Sequence, residues 1–328
     1  MFGNLCDIPG VLVGHATDRV GRTGCTAVLF DTSDGAGAVV GVDVRGSSPG
    51  TRETDLLDPI GRVGETHALL LTGGSAFGLS AAGGVVNFLE EKGIGYYARV
   101  ARIPLVPAAV VFDLAVGDPY ARPDSEMGYA AAAAARNVDF EQGSIGAGTG
   151  ASVGKVLGIE RAMKGGLGSA SVALPGELVV SALAVVNAFG DVREPLSGTI
   201  LAGPRYEDGT LADSVEHLME AAPFVQWGEN TTLGSVATNA RLTKPGATKV
   251  AQMAHDGLAR TVYPVHTSVD GDIIFAASVG GSSDESSRFA AAPDVVGAWG
   301  AQVVAEAVVR AIRSARGTPD LPSASELG

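Results

Sequence analysis

The stretch WGENTTLGSVATNARL, at residues 227–242, joins a polar entry to a run typical of a buried β-strand. Asn230, Thr231 and Thr232 stand together where this strand should begin, and the packing of an apolar strand does not require them there. One explanation is that strands tolerate threonine, because its branched side chain suits a pleated sheet. The alternative is that Thr231 is a functional residue whose position at the strand start matters.

A threonine hydroxyl becomes an effective nucleophile only when a base takes its proton. An N-terminal threonine carries its own base, an α-amine whose unperturbed pKa is about 7.7–8.0. Cleavage between Asn230 and Thr231 would create such an amine at the start of the strand. The chain could make this cut itself, because attack of the Thr231 hydroxyl on the Asn230 carbonyl gives an ester that water hydrolyses. The residues alone do not decide between self-cleavage at Thr231 and an ordinary strand that contains two threonines.

Composition restricts the class of protein. The chain has 328 residues, 46 of them glycine, with 46% hydrophobic and 5% aromatic residues, so we expect a compact fold of closely packed small side chains. The net charge of −13 argues against a nucleic-acid partner, which would require a basic face. We find no run of about eighteen apolar residues and no signal peptide, and therefore expect no membrane association.

Cysteine and histidine usage predicts an enzyme without a metal. Two cysteines, Cys6 and Cys25, fit reduced thiols in a cytoplasmic protein better than a disulfide framework. The five histidines are scattered, and neither CxxC nor HExxH occurs. We expect neither a metal site nor another cofactor.

Hydrophobic patterning predicts an α/β layered fold with two sheets between helices. Two hairpins are predicted from Asp-Gly turns, one over 25–44 around Asp34-Gly35 and one over 263–278 around Asp270-Gly271. Further strands are predicted at 67–71, 106–114, 166–175, 178–191 and 231–240. Helices are predicted from Ser75 to Lys92, after Pro123, and over 246–260 and 293–315, with a loop at 44–59.

The glycine-rich run GAGTGASVGK, at 146–155, offers two motifs and one candidate residue. It fails as a phosphate loop because Thr149 and Val156 stand where glycine and Ser or Thr are required. The segment around Ser152 matches GxSxG, the nucleophile elbow of an esterase, although no apolar strand precedes it. Lys155 follows as a single positive charge, which either reaches into a site or is solvated.

Three further polar residues are candidates for a site. Asn187 follows the apolar run SALAVV, so its amide is either a structural bracket or a donor to an oxyanion. Ser268 and Asp270 are two residues apart and would face the same way on one extended strand. Surface polar residues beside a turn would give the same pattern.

Six blocks together identify a family. In chain order they are VRGSSPGTRETDLL, LLLTGGSAFGLSAAGGV, IPLVPAAVVFDL, GAGTGASVGK, ENTTLGSVATNA and PVHTSVDGDIIFA. They resemble the P1 family of self-processing hydrolases, peptidase family S58, over about residues 8 to 310. The family includes L-aminopeptidase/D-esterases, β-peptidyl aminopeptidases and endo-type 6-aminohexanoate-oligomer hydrolases, which cleave nylon oligomers.

The resemblance implies a four-layer α-β-β-α sandwich of the N-terminal-nucleophile type. It implies one hydrolase domain over 1–328 that cuts itself between Asn230 and Thr231 into an α chain, 1–230, and a β chain, 231–328. Lys155 and Asn187 match functional positions of the nylon-oligomer branch. That branch has two aspartates where Ser268 and Asp270 stand, whereas the aminopeptidases have Ser and Glu.

The resemblance also implies an activity and an assembly. Thr231 would attack the carbonyl of an amide, with Asn187 and Lys155 stabilising negative charge and Ser268 and Asp270 orienting the nucleophile. Phe112, which would contact substrate, replaces a tyrosine common in the family. We expect aminopeptidase-type action on short peptides or amino-acid amides, by a homotetramer of αβ heterodimers. The alternatives are endo-type nylon-oligomer hydrolysis and an uncleaved, non-catalytic binding protein.

Overall fold

Seventeen strands and six helices lie within residues 3–31, 37–221, 230–279 and 292–326, the parts of the chain that the computed structural model describes. The strands are β1 (Val11–Asp18), β2 (Thr23–Phe30), β3 (Val39–Val44), β4 (Thr51–Arg52), β5 (Ala68–Thr72), β6 (Tyr96–Tyr97), β7 (Arg102–Ile103), β8 (Ala108–Val110), β9 (Ser152–Val153), β10 (Met163–Lys164), β11 (Gly166–Ala173), β12 (Val179–Asn187), β13 (Asp191–Arg193), β14 (Ile200–Ala202), β15 (Thr231–Thr238), β16 (Val262–Tyr263) and β17 (Ile273–Ser278). The helices are α1 (Ser75–Gly78), α2 (Ala81–Glu91), α3 (Ser125–Ala134), α4 (Ser214–Ala221), α5 (Lys244–Ala259) and α6 (Pro293–Ser314).

Two five-stranded sheets form the centre of the molecule. The first sheet has the order β1-β2-β5-β8-β4, and the second has the order β11-β12-β15-β17-β3. Most neighbouring strands are antiparallel, but β5 with β8 and β15 with β17 are parallel. The smaller group β14-β13-β16 and two short pairs, β9 with β10 and β6 with β7, lie outside these sheets.

Three apolar clusters fill the spaces between four layers. The cluster between the two sheets contains Leu69 of the first sheet with Leu233 and Phe275 of the second. A second cluster joins the outer face of the first sheet to α2 and α3, and a third joins the outer face of the second sheet to α5 and α6. The α-β-β-α sandwich that the resemblance implied is therefore present.

Glycine allows one of these layers to approach another closely. A Cβ placed on Gly168 of β11 would lie 2.1 Å from the carbonyl oxygen of Ala307 in α6. Any side chain here would separate the helix from the sheet. The abundance of small residues noted in the sequence thus has a structural cause at this contact.

The segments with the strongest local patterns form the predicted elements. The strand predicted at 231–240 is β15, and the helices predicted at 246–260 and 293–315 are α5 and α6. The strands predicted at 166–175 and 178–191 are β11 and β12, which pair antiparallel along eight residues each. The strand predicted at 106–114 is reduced to the three residues of β8.

Both predicted hairpins are wrong. β2 pairs with β1 and β5 in the first sheet, whereas β3 pairs with β17 at the edge of the second sheet. The Asp34-Gly35 turn lies outside the described residues. β16 joins β13, and β17 lies between β15 and β3, so 263–278 does not fold back on itself. A local turn signal could not reveal that each strand belongs to a different sheet.

The helix predicted from Ser75 to Lys92 is interrupted. It consists of α1 and α2, separated by Leu79 and Ser80, and Gly74 rather than Ser75 is the N-cap of α1. Gly93, with φ of +69°, follows the end of α2 as expected. The loop predicted at 44–59 contains the two residues of β4 and a short 3-10 turn over Thr54–Leu57. The alanine-rich helix α3 has Asp124 as its N-cap, directly after Pro123.

The helix α6 is apolar along most of its length. Its 22 residues reach a mean hydropathy of 1.4 over an 18-residue window, so it is long and apolar enough to cross a bilayer. However, 67% of that window is buried against β11, β12 and α5. The apolar residues therefore serve as core packing.

Candidate active site

The Asn230–Thr231 peptide bond lies where β15 begins, in the middle of the second sheet. β15 is flanked by β12 and β17, and its first residue, Thr231, is paired with Asn187, the last residue of β12. Asn230 is 1% exposed and Thr231 is 4% exposed. The antiparallel register thus brings two residues that are 44 positions apart in the sequence (231 − 187) to one place.

The carbonyl of Asn230 is held by hydrogen bonds. The N–H of Gly271 donates to the Asn230 oxygen at 2.8 Å. The hydroxyl of Thr231 also lies against this oxygen, with Oγ1 2.5 Å away. The N–H of Asn230 donates to the carbonyl of Val269 at 3.0 Å. The hydroxyl and the carbonyl group that self-cleavage would join are therefore in contact, and the carbonyl is polarised by a backbone donor.

Asn187 is fully buried and uses its side chain as a bracket. Its Oδ1 accepts from the backbone N–H of Ser152 and from Nζ of Lys155, both at 3.0 Å. Its Nδ2 donates to the carbonyl oxygen of Phe112 at 3.0 Å. These contacts join β9, β12 and the segment after β8. The structural role proposed from sequence is thus present, beside the end of β15.

Lys155 lies in the same group. Its Nζ donates to both the carbonyl oxygen and Oδ1 of Asn187, each at 3.0 Å. Burial lowers the pKa of Lys155 to about 7, although the nearby carboxylates of Asp270, Asp113 and Asp272 act in the opposite direction. Lys155 is therefore not a solvated lysine, and it can gain or lose a proton near neutral pH.

Asp270 approaches the same bond from the other side. It forms a parallel bridge with Asn230 and is 2% exposed. Its Oδ2 accepts from the N–H and hydroxyl of Thr267 at 3.0 and 2.6 Å, and its Oδ1 accepts from the N–H of Phe189 at 3.4 Å. Burial, followed by repulsion from Asp272, raises the pKa of Asp270 to about 6.

Asp272 was missed by the sequence analysis. It is 1% exposed, and its Oδ1 accepts from the N–H of Thr232 at 2.6 Å. Its Oδ2 accepts from the N–H and Nδ1 of His266 at 3.1 and 2.8 Å. The motif VDGD contained the signal, because its two carboxylates are two residues apart and directly precede a buried strand.

Ser268 does not share a face with Asp270, so that expectation is wrong. The chain turns over Thr267–Asp270, with the N–H of Asp270 donating to the carbonyl of Thr267 at 3.2 Å. The turn leaves Ser268 exposed while Asp270 is buried. Ser268 contributes only its carbonyl oxygen, which accepts from the Ser48 hydroxyl at 3.1 Å. Thr267 is the hydroxyl residue that contacts Asp270.

Phe112 and Ser152 lie on the wall of this group. Phe112 is half-buried and supplies its carbonyl oxygen to Asn187. Ser152 is 1% exposed and lies within β9, which leads into a loop, so the strand-to-helix turn of a nucleophile elbow is not formed. In the described ranges, no three His, Cys, Asp or Glu side chains are grouped to hold a metal ion.

Comparison with known proteins gives a family, two sets of relatives and a fold. The profile of Peptidase family S58 matches residues 3–321. An uncharacterized aminopeptidase of Mycobacterium tuberculosis is 38% identical over 98% of this chain and 97% of its own length. A 6-aminohexanoate-oligomer endohydrolase of Kocuria sp. is 33% identical over 82% of this chain and 73% of its own length.

Two solved structures share the fold. A beta-aminopeptidase from Burkholderia sp. superposes with a TM-score of 0.70 at 21% identity, covering 96% of this chain and 87% of the other. An L-aminopeptidase D-Ala-esterase/amidase from Ochrobactrum anthropi, described as a variant of the Ntn hydrolase fold, superposes with a TM-score of 0.69 at 20% identity, covering 98% and 90%.

Proposed function

The chain belongs to peptidase family S58, and we propose that it is a self-processing amide-bond hydrolase whose nucleophile is Thr231. The observation that carries this proposal is the contact between the Thr231 hydroxyl and the carbonyl of Asn230. An ordinary strand residue does not need its hydroxyl on the preceding carbonyl. This carbonyl is also polarised by the N–H of Gly271, as an oxyanion hole would polarise it.

Self-cleavage transfers an acyl group from nitrogen to oxygen. The Thr231 oxygen attacks the Asn230 carbonyl carbon, the N–H of Gly271 stabilises the oxyanion, and the C–N bond breaks as the nitrogen takes a proton. Water then hydrolyses the ester, leaving a carboxylate on Asn230 and a free amine on Thr231. Lys155 and Asp270 can exchange the protons, since their pKa values lie at about 7 and about 6.

Substrate hydrolysis repeats this chemistry with the new amine as base. The α-amine of Thr231 takes the hydroxyl proton, and the hydroxyl oxygen attacks the substrate carbonyl. A protonated Lys155 has three N–H groups and uses two of them on Asn187, so one is left for an oxyanion. Asn187 then orients the ammonium group of Lys155 through these two hydrogen bonds. We propose that Asp272 fixes the strand beside the nucleophile through its bond to Thr232.

Gel electrophoresis and N-terminal sequencing of the purified protein test the proposal. We expect fragments 1–230 and 231–328, the smaller beginning TTLGSVATNA. Thr231→Ala should abolish both cleavage and activity, and Thr231→Ser should keep part of each, because serine retains the hydroxyl. An intact single chain without hydrolytic activity would instead support a binding protein. Activity that survives Thr231→Ala and is lost in Ser152→Ala would support the esterase hypothesis.

We propose aminopeptidase-type action on short peptides or amino-acid amides and esters as the primary activity. The supporting observation is that the relatives matching almost the whole chain carry the name aminopeptidase. An aminopeptidase binds the free N-terminal amine of its substrate. Because that ammonium group loses water on binding, it needs a negative or polar partner in the site.

Endo-type hydrolysis of 6-aminohexanoate oligomers is the second candidate, and one feature of the site favours it. Asp270 and Asp272, which lie beside the Asn230–Thr231 bond, are 2% and 1% exposed, and each already accepts three hydrogen bonds from the protein. Neither is therefore a ready partner for a substrate ammonium. An endo-acting enzyme has no need of such a partner.

Comparison of a short oligoamide with its N-acetylated form separates the two activities. If the enzyme binds the free amine of the substrate, N-acetylation should lower kcat/KM on the order of a hundredfold, which corresponds to about 3 kcal/mol of transition-state binding. If kcat/KM changes by only a few-fold, the aminopeptidase assignment is wrong and the endo-type activity replaces it.

A further inference from the structure

A line of polar side chains leads from the beginning of β15 to the edge of the second sheet. Asp272 contacts Thr232, His266 contacts Asp272, and the ring of His255 packs on the ring of His266. His255 in turn contacts Asp43 of β3. None of these groups has a role in the chemistry proposed above except Asp272.

His266 holds Asp272 with two donors. Its backbone N–H and its Nδ1 reach the same carboxylate oxygen at 3.1 and 2.8 Å. Because an ionised carboxylate only accepts, Nδ1 must carry a proton. Nε2 is buried and has no hydrogen-bond partner among the described residues, so the polar contact of this ring is made through Nδ1. The backbone of His266 is left-handed, with φ of +56°, a conformation that favours glycine and asparagine.

His255 shields this contact from water. Its Nε2 lies 3.1 Å from the carbonyl oxygen of Asp43 and therefore carries the proton. Its ring centroid is 4.8 Å from that of His266, with an angle of 73° between the planes. Burial lowers the pKa of His255 to about 4, so it stays neutral at neutral pH. The His266–Asp272 contact is thus covered by an uncharged ring.

Several charged groups lie near the hydrogen bond between His266 and Asp272. Asp270 and Asp272 are two buried carboxylates that repel each other, and Lys155 lies near both. Across the sheet edge, Asp43 is paired with Arg45 at 2.6 Å. The two donors of His266 fix the orientation of one carboxylate of this buried pair.

We propose that His266 is a positioning residue for the Thr231 nucleophile: its Nδ1–H holds the carboxylate of Asp272 turned toward the N–H of Thr232. The proposal rests on the proposed function, because it concerns the same nucleophile. His266 acts through Asp272 and takes no part in bond making. Loss of its ring donor should therefore slow both self-cleavage and turnover.

Two substitutions separate the side-chain donor from the backbone conformation. Asparagine tolerates the left-handed conformation, and its Nδ2 is as many bonds from Cα as Nδ1 of histidine, so His266→Asn restores the donor. Glycine tolerates the conformation and keeps the backbone N–H, so His266→Gly removes only the ring. Each variant is followed by its self-cleavage rate and by kcat/KM.

The two variants have different expected outcomes. His266→Asn should stay within about threefold of wild type, whereas His266→Gly should lose about tenfold or more of kcat/KM, the effect of one hydrogen bond to a charged group. Equal losses in both variants overturn the proposal.

A measurement on the wild-type protein remains decisive if His266→Gly does not fold. In protein labelled with 15N-histidine, the NMR signals of His266 should show a proton on Nδ1 at the pH optimum, and a ring protonated only on Nε2 overturns the proposal. The two proposals also fail differently. An uncleaved wild-type chain, or an active Thr231→Ala, removes the proposed function. A cleaved, active wild type with an unaffected His266→Gly removes only the role of His266.

Discussion

Gly271 fills the space beside the Thr231 hydroxyl. A Cβ on this residue would lie 2.8 Å from Thr231 Oγ1 and 2.5 Å from the carbonyl oxygen of Ser48. Its N–H is also the donor to the carbonyl of Asn230. The residue therefore has to be both small and correctly oriented.

We expect Gly271→Ala to slow self-cleavage and to reduce turnover by tenfold or more, because the added methyl displaces the Thr231 hydroxyl from the Asn230 carbonyl. Such a loss of alignment lowers reaction rates by about 100-fold for a shift of roughly 1 Å. Gly64→Ala is the matched control, since a Cβ there has no neighbour within 4 Å. Rates of appearance of the small fragment on a gel measure the first effect. A Gly271→Ala variant that cleaves as fast as Gly64→Ala would contradict this description of the site.

Lys155 should make stability depend on pH in the alkaline range. Its pKa is about 7 in the folded protein, whereas the ordinary pKa of a lysine is 10.5, so between these values the unfolded chain binds a proton that the folded chain does not. The free energy of unfolding should therefore rise with pH from about 7 to about 10.5. Below about pH 7 both states are protonated, and this contribution no longer changes.

Lys155→Met should flatten this rise. Urea titrations at pH 7 and pH 9, on the uncleaved Thr231→Ala background, should show an increase about 2 kcal/mol smaller than in the parent. Lys249→Met, at an exposed lysine of α5, is the control and should follow the parent. An unchanged slope in Lys155→Met would mean that Lys155 stays charged in the folded protein.

At the scale of elements, glycines set the distance between α5 and α6. A Cβ on Gly257 of α5 would lie 2.4 Å from the carbonyl oxygen of Ala301 in α6. A Cβ on Gly300 of α6 would meet its nearest neighbours at an ordinary 3.7 Å. Both residues are within helices at the same interface, so they form a matched pair.

The same Gly→Ala change should have opposite effects at these two positions. Gly257→Ala should destabilise the protein by about 1–3 kcal/mol, because the helices must separate or strain. Gly300→Ala should be neutral or stabilising by up to about 1 kcal/mol, because alanine favours the helix and nothing is displaced. Thermal or urea unfolding of both variants measures this difference, and equal effects would contradict the packing at this interface.

The sequence predicted elements more reliably than their partners. β12, β15, α5 and α6 carry long apolar patterns that decide their type locally, and all four were predicted. The Asp-Gly signals at 34–35 and 270–271 were also local, but the two strands that flank each signal belong to different sheets. In the same way, the turn over 267–270 decided that Asp272, and not Ser268, lies beside β15 with Asp270. Side-chain direction in a turn cannot be read from a two-residue spacing.

For the molecule as a whole, the proposed cut between Asn230 and Thr231 would divide the second sheet between two fragments that remain packed together. β15 and β17 belong to 231–328, whereas their neighbours in the second sheet, β12 and β3, belong to 1–230. The later segment also supplies α5 and α6, which cover the outer face of that sheet. Each fragment would therefore leave the other without hydrogen-bond partners for buried strands and without its apolar cover.

This interlocking gives a last prediction that compares the cleaved protein with uncleaved Thr231→Ala. The two fragments should elute together in buffer and separate only in denaturant. Unfolding of the cleaved form also releases two chains, so its urea midpoint should rise with protein concentration, by about 1.4 kcal/mol in stability for each tenfold increase. Unfolding of the single Thr231→Ala chain releases only one chain, so its urea midpoint lacks this dependence on concentration. If the protein forms oligomers, their dissociation adds the same concentration dependence to both forms. Equal concentration dependence in the two forms would show that the fragments do not separate when the protein unfolds, or that the chain was not cut.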